Sequence, residues 1–280
     1  MKPHIYFDPK VDKYPYPNDT GAHYMEVVMD RGFVFDENYP YIDKSKSFRF
    51  KQTMVNLLLH LIVYPMTYIK MGLKIEGKHN LKKHKKEIKN GLLTVSNHVH
   101  KWDYLMIKTA LHKYKTNVLV WNKNVNDKDG PLVRLVGGVP IPEKNDVKAN
   151  LVFLEAVHEL FSMKRIIQLY AEGSMWEYYA PIRPFKPGIA YFAFKENKPV
   201  LPFGFSYRKP GWIRRKIFHQ IATFTLNIGE PIYINRELDH KAAQEDLLIR
   251  LHNEVCRLSY IRPDKNIYEP IYNSSKKIDY

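Results

Sequence analysis

The sequence predicts an α/β fold: a largely parallel central sheet flanked by helices, with an N-terminal amphipathic helical segment in front of it. Three observations carry this. From residue 91 onward, short apolar runs of strand length alternate with segments whose apolar residues recur at helical spacing. The chain has 280 residues, 45% of them hydrophobic, enough to bury one large core. Ahead of the alternating region stands a long apolar segment, residues 54–73, followed directly by a lysine-rich run.

Residues 1–50 are polar, tyrosine-rich and dotted with Pro, Asp and Asn, and read as an irregular N-terminal arm. Residues 51–90 read as an amphipathic and basic membrane-attachment segment. Its apolar half, MVNLLLHLIVYPMTYIKMGL, approaches the ~20 residues a bilayer span needs. Asn56, His60 and Lys70 interrupt it, and Pro65 is expected to kink or break the helix. Two short helices lying along or dipping into one leaflet are therefore expected rather than a span. Its basic half, KIEGKHNLKKHKKEIKN, reads as a patch for anionic headgroups, worth ~1 kcal/mol per lysine near the surface. The competing reading is a buried helix pair followed by a solvated lysine face.

Residues 91–260 hold the α/β domain. GLLTVSN reads as a buried strand, WDYLMIKTALHKYK as a helix, TNVLVWN as a second strand, PLVRLVGG as a short helix and VPIP as a short strand. DVKANLVFLEAVHELFSMK is an amphipathic helix with Leu151, Leu154, Val157, His158 and Phe161 expected on one face. KRIIQLY is a strand, GIAYFAFKENK a helix, PVLPFGFSY a strand, ATFTLNIGEPIYI one or two strands, and HKAAQEDLLIRLHNEVCRLSY a closing helix. The polar tail, residues 261–280, reads as irregular.

Forty-four Lys and Arg face 29 Asp and Glu, a formal net charge of +15 that attracts polyanions: nucleic acid, anionic lipid or phosphorylated substrates. One cysteine, Cys256, excludes an internal disulfide and fits a reducing compartment. The N-terminus has no apolar run of the kind a secretory signal needs.

One stretch, SNHVHKWD at residues 96–103, places two histidines and an aspartate between a strand and a helix, where ligands bind in open α/β sheets. As a metal site it lacks further His or Asp at other strand ends, so no metal is expected. As a general base it is complete. His98 can be oriented by Asp103, brought back by the first turn of the helix, leaving the other ring nitrogen free to take a proton from a hydroxyl. No Gly-x-Ser-x-Gly nucleophile elbow accompanies it, so the attacking hydroxyl is assigned to a substrate.

Asn97, His98 and Asp103 then form NHxxxxD, which resembles the first motif of the glycerolipid acyltransferases, the lysophosphatidic acid acyltransferase family. Gly138-Val139-Pro140-Ile141-Pro142-Glu143-Lys144 resembles the second motif, with Lys144 in an arginine's place. Ala171-Glu172-Gly173-Ser174 resembles the third, Pro-Glu-Gly-Thr-Arg, and Phe185-Lys186-Pro187-Gly188 closes that region. Lys198-Pro199-Val200-Leu201-Pro202 resembles the fourth motif. The motifs stand in the family's order over residues 91–205. Departures are Ala171 for the proline, Met175 for the third-motif arginine, and the aromatic insertion Trp176, Tyr178 and Tyr179, as in a divergent bacterial branch.

The resemblance implies acyl transfer from a thioester, acyl-CoA or acyl-carrier protein, to the hydroxyl of a lysophospholipid such as 1-acylglycerol-3-phosphate, with no cofactor. It implies His98 as base and Asp103 as its partner, with Asn97, Glu172, Gly173 and Ser174 at the substrate. Backbone N–H groups near Gly173 would serve the oxyanion, and Lys144, Arg183 and Lys186 the acceptor phosphate. It also implies a peripheral or monotopic protein on the cytoplasmic face of an anionic membrane, acting in phospholipid biosynthesis. Two alternatives stand beside it: a non-phosphate alcohol as acceptor, walled by Trp176, Tyr178 and Tyr179, and a basic nucleic-acid-binding protein. The latter leaves the motif order unexplained, so no nucleic acid is expected.

Overall fold

A computed structural model describes residues 7–9, 16–23 and 29–260; the tail expected to be irregular lies outside the described residues. The seven strands are β1 (Lys74–Glu76), β2 (Leu93–Val95), β3 (Thr116–Trp121), β4 (Gly138–Ile141), β5 (Ile166–Leu169), β6 (Val200–Arg208) and β7 (Thr223–Ile228). They form one sheet in the order β1-β7-β6-β2-β5-β3-β4. All neighbours run parallel except β6 and β7. The predicted α/β class, a largely parallel sheet flanked by helices, is the observed one. Strands β2, β5 and β7 are wholly buried, as expected of a sheet covered on both faces. Pro140 falls on β4, an edge strand, where its missing N–H breaks no ladder on the outer side.

The helices are α1 (Lys46–Leu58), α2 (Tyr64–Ile69), α3 (Lys78–Lys83), α4 (Lys85–Lys89), α5 (Asp103–Ala110), α6 (Asn122–Asn126), α7 (Gly130–Leu135), α8 (Val147–Ser162), α9 (Gly188–Glu196), α10 (Trp212–Ile217) and α11 (His240–Leu258). Parallel neighbours need crossovers, and the longer helices supply them: α8 carries the chain from β4 to β5 and α9 from β5 to β6.

Three expectations are corrected. The break at Pro65 does not occur. A π-helical turn, Leu59–Val63, joins α1 to α2, so helical backbone continues from Lys46 to Ile69. Pro65 lies at the start of α2, where its lack of an N–H and its ring are accommodated by the wider turn before it. The helix also starts before residue 51, because the Ser45 side chain accepts the Phe48 N–H at 3.2 Å and caps it. Second, the lysine run, read as a single basic segment, is divided between a strand and two helices. It begins as β1, turns at Gly77, whose φ of +73° leaves no room for a side chain against the Ile228 carbonyl, and continues as α3 and α4. Third, the buried face of α8 is Ala149, Phe153, Ala156, Val157, Leu160 and Phe161, while Leu151 and His158 face solvent. His158 reaches out to Glu196 at 2.8 Å.

Among the described residues no helix is long and apolar enough to cross a membrane. The helical rod leaves a stripe of apolar side chains exposed, including Phe50, Met54, Leu57, Leu61 and Ile69.

Candidate active site

Strand β2 ends at Val95 and hands the chain to Ser96 and Asn97 at its carboxyl end. Asn97 is buried, and both of its side-chain polar atoms bond the protein. Its Nδ2 donates to the Phe205 carbonyl at 3.0 Å and its Oδ1 accepts the Phe205 N–H at 2.8 Å. This side chain mimics one more rung of ladder between β2 and β6, so the expectation that Asn97 contacts substrate is corrected: it sets the position from which the next residue projects. Below it, Thr94 donates to Gln168 at 2.6 Å and Gln168 donates to Ser96 at 3.1 Å, tying β2 to β5 at the same end.

His98 follows. Its Nδ1 lies 2.6 Å from Asp103 Oδ2. A carboxylate has no proton to give, so Nδ1 carries it and Nε2 is the basic nitrogen. Asp103 is the first residue of α5, and the same Oδ2 accepts the N–H groups of Val99 at 3.1 Å and His100 at 3.4 Å. Its Oδ1 accepts the Tyr170 hydroxyl at 2.6 Å. The Tyr170 ring also lies flat on the imidazole, with centroids 3.7 Å apart at 12°. Burial, with the Asp103 charge beside it, raises the Tyr170 phenol well above its ordinary range, so it stays a donor. The carboxylate is buried; the imidazole keeps 20% of its surface exposed. A fixed tautomer with an open Nε2 can accept a proton from an approaching hydroxyl.

The second histidine of the stretch faces elsewhere. His100 is buried, its Nδ1 accepts the Trp102 N–H at 3.1 Å, and its Nε2 lies 3.3 Å from Glu177. Burial pushes its pKa down to about 4, so the ring is neutral at physiological pH.

The loop after β5, residues 171–186, is laced to the loop after β2. Trp176 N–H donates to the His98 carbonyl at 3.1 Å, Tyr178 N–H to that of Val99 at 2.8 Å, and Lys186 N–H closes the loop onto Ala171 at 2.7 Å. Glu172 is the knot. Its Oε2 accepts the His98 N–H at 3.2 Å and the Arg183 guanidinium at 3.0 Å, and its Oε1 accepts the Arg183 N–H at 3.0 Å. Arg183 also donates to the Ser174 hydroxyl at 2.6 Å and to the Ser174 carbonyl, and lies 4.4 Å over the Trp176 ring.

Several expectations change here. Arg183 is 0% exposed and both terminal nitrogens of its guanidinium donate to protein oxygens, so it is not an open cation for a phosphate. Ser174 is buried, accepting from Arg183 and donating to the Ala22 carbonyl at 3.0 Å. The Gly173 N–H is taken by the Tyr170 carbonyl at 2.9 Å, which withdraws it as an oxyanion donor. Trp176 and Tyr178 are core residues rather than an open wall, Trp176 donating from Nε1 to Ala22 at 3.1 Å.

Lys186 does stand open, its ammonium folded against Gly173, where an added Cβ would come 2.5 Å from Nζ. Lys186, Lys123 and Arg183 surround His23 closely enough that, after burial, their charges lower its pKa. His23 stacks on Trp121 at 3.9 Å, and Lys123 lies 5.1 Å over the same ring. Lys123 and Lys186 thus form an exposed cationic group at the ends of β3 and β5. Lys144 is exposed at the end of β4 but makes no contact with that group among the described residues.

Tyr170 and Lys123 were not picked out by sequence reasoning. Tyr170 carried a signal, since it stands at a strand's carboxyl end directly before Ala171-Glu172-Gly173-Ser174. Lys123, one lysine among many, carried none. Among the described residues no three His, Cys, Asp or Glu gather as a metal site.

Residues 72–206, which hold all of these groups except Ala22 and His23, match the family model described as Acyltransferase. The chain carries an acyltransferase-family domain. Among solved structures, the chain is similar to the 1-acyl-sn-glycerophosphate (LPA) acyltransferase, PlsC, from Thermotoga maritima. That match covers 76% of this chain and 84% of the other, at 16% identity and a TM-score of 0.44. No curated protein matches this acyltransferase in sequence.

Proposed function

We propose that the enzyme moves a fatty acyl group from a thioester, acyl-CoA or acyl-carrier protein, to the free hydroxyl of a lysophospholipid of the 1-acylglycerol-3-phosphate type. The observation that carries this is the 2.6 Å pair between His98 and Asp103, with Nε2 left open and, among the described residues, no serine or cysteine bonded to it. In this reading Nε2 removes the acceptor's proton as its oxygen attacks the thioester carbonyl. The C–S bond then breaks, and the departing thiolate takes that proton back from the imidazolium. The products are an ester and a thiol, and the base is restored. Such a base contributes ~10²–10⁴ in rate.

The acceptor's phosphate would rest on Lys123 and Lys186, with Lys144 as a further candidate at the rim. Arg183, by contrast, would hold Glu172 and through it the backbone of His98. No cofactor enters the step. The apolar stripe on the helical rod supports a peripheral place on the cytoplasmic face of a membrane, where such acceptors reside.

The test follows thiol release and lipid products by mass spectrometry, offering 1-acylglycerol-3-phosphate and an uncharged monoacylglycerol in turn. The phosphate acceptor should be preferred. The double variant Lys123→Ala, Lys186→Ala should raise KM for it about a hundredfold or more, since charge-assisted hydrogen bonds are worth ~1.5–3 kcal/mol each. Preference for the uncharged alcohol in the wild type would assign the enzyme a non-phosphate acceptor instead.

A further inference from the structure

The lysine run of residues 78–89 does not lie where the apolar stripe can use it. Asn80 in α3 donates to the Ile228 carbonyl at 2.9 Å, and Lys83 pairs with Glu230 at 2.7 Å. Both partners sit at the carboxyl end of β7. Because β7 runs antiparallel to β6, that end lies opposite Phe203, away from the carboxyl end of β6, whereas Asn97 beside the dyad bonds Phe205, part-way along. The register runs from Phe203↔Ile228 to Arg208↔Thr223, five strand steps or about 16 Å. His100 meets Phe224, near the other end, at 5.3 Å.

Helix α10 lies at that other end. Arg214 donates from Nε to the Ile69 carbonyl at 3.2 Å and from Nη2 to that of Tyr68 at 3.4 Å, so α10 caps the last turn of α2. None of its residues is buried. Trp212 is 65% exposed and Ile217 62%, alongside exposed Ile213. Arg215 and Lys216 are exposed between them. The last turn of α2 carries Tyr68 and Ile69, both exposed, and just beyond it Lys70 stands 5.2 Å over the Trp102 ring, at the lip of the catalytic loop.

We propose that α10 and the exposed stripe of α1–α2 form one bilayer-docking surface at the catalytic end of the sheet. Arg215 and Lys216 of α10, rather than the lysines of residues 78–89, supply its cations. The occupant is an anionic lipid surface. A tryptophan and isoleucines interleaved with an arginine and a lysine suit the headgroup–acyl boundary, where an apolar body enters and a cation stays wet. Cations held about 16 Å behind such a surface lie beyond the ~8 Å screening length at physiological salt and add little. The inference rests on the lipid-acceptor reading and deepens it, since docking in this orientation brings the membrane plane to the lip of the His98 loop.

Flotation with phosphatidylcholine vesicles, with and without phosphatidylglycerol, tests it. Every substituted side chain is exposed, and circular dichroism checks the fold of each variant. Trp212→Ser with Ile217→Ser should weaken binding to both vesicle types. Arg215→Ser with Lys216→Ser should cut binding to the anionic vesicles about thirtyfold at low salt, at ~1 kcal/mol per charge, and leave neutral vesicles alone. At physiological salt, Lys82→Ser, Lys85→Ser, Lys86→Ser and Lys89→Ser together should change either by less than about threefold, as screened charges do. The reverse pattern overturns the proposal. So does a protein whose Trp212 surface proves, by sedimentation, to join two copies and to be dispensable for flotation. Flotation that depends on α10 in a protein that acylates no lysophospholipid would keep the docking surface and remove the acceptor reading.

Discussion

The Tyr170 ring lies flat against His98, with centroids 3.7 Å apart, while its hydroxyl holds the far oxygen of the carboxylate that orients that same imidazole. One side chain therefore limits both partners of the dyad. It fixes the ring plane by contact and the carboxylate by a hydrogen bond of 2.6 Å. Tyr170→Phe keeps the first constraint and removes the second. Its kcat should fall about five- to tenfold with KM unchanged, the size of one net hydrogen bond. Tyr170→Ala should lose more. Steady-state kinetics decides this, and an unchanged kcat for Tyr170→Phe would remove the hydroxyl from the account.

His98→Ala should abolish acyl transfer while the fold remains, because His100 is turned toward Glu177 and cannot substitute. Asp103→Asn should reduce kcat by ~10²–10⁴, since an amide in that place can satisfy the other tautomer and leave the wrong nitrogen facing the acceptor. Activity retained in His98→Ala but lost in His100→Ala would reverse the assignment.

Arg183→Ala should act on stability rather than on acceptor binding. Its guanidinium is wholly buried against Glu172, Ser174 and Trp176, and removing one partner of a buried pair leaves the other charge unanswered, at a cost of ~3–5 kcal/mol. Chemical denaturation should show that loss. Arg183→Lys should recover little, because one ammonium cannot replace the fork that reaches both Glu172 and Ser174. Full stability with a raised KM would return Arg183 to the role of a phosphate cation.

Acid should destabilise the protein through His100. Its folded pKa of about 4 lies below the ordinary value of 6.5, so the unfolded chain binds the extra proton first. The stabilising difference is present above pH 6.5 and is lost as pH falls toward 4. It amounts to about 3 kcal/mol for a fall from 6.5 to about 4. Urea unfolding from pH 7 to pH 4.5 should show the decline, and His100→Gln should flatten it.

The alternation of strand and helix patterns from residue 91 was readable because it follows from local periodicity, which a buried parallel sheet and its crossover helices impose on the chain. Reading failed where a local signal was weaker than its neighbours. Ser45 capped a helix whose apolar part began well after it, and a π-helical turn carried the backbone through Pro65. On α8 the chosen face was offset, since Leu151 and His158 are apolar or aromatic enough to pass for core residues, while packing selected Phe153 and Leu160.

The motif residues were equally legible as a set, but not their occupations. NHxxxxD places an imidazole five residues ahead of a carboxylate on the first turn of α5, so His98 and Asp103 could be paired from spacing, and the motif order resembles that of the acyltransferases. Whether a polar residue faces substrate or protein depends on what the folded chain puts beside it. Asn97 is consumed by Phe205, 108 residues away, and Arg183 by Glu172 and the arm residue Thr20. The fold likewise set Lys83 beside the carboxyl end of β7, five strand steps from the end of β6 that leads to α10, because β7 runs antiparallel to β6. Charge and local period are written along the chain; burial and strand direction arise only when distant segments close on one another, and those decided which cations and which rings remain free to act.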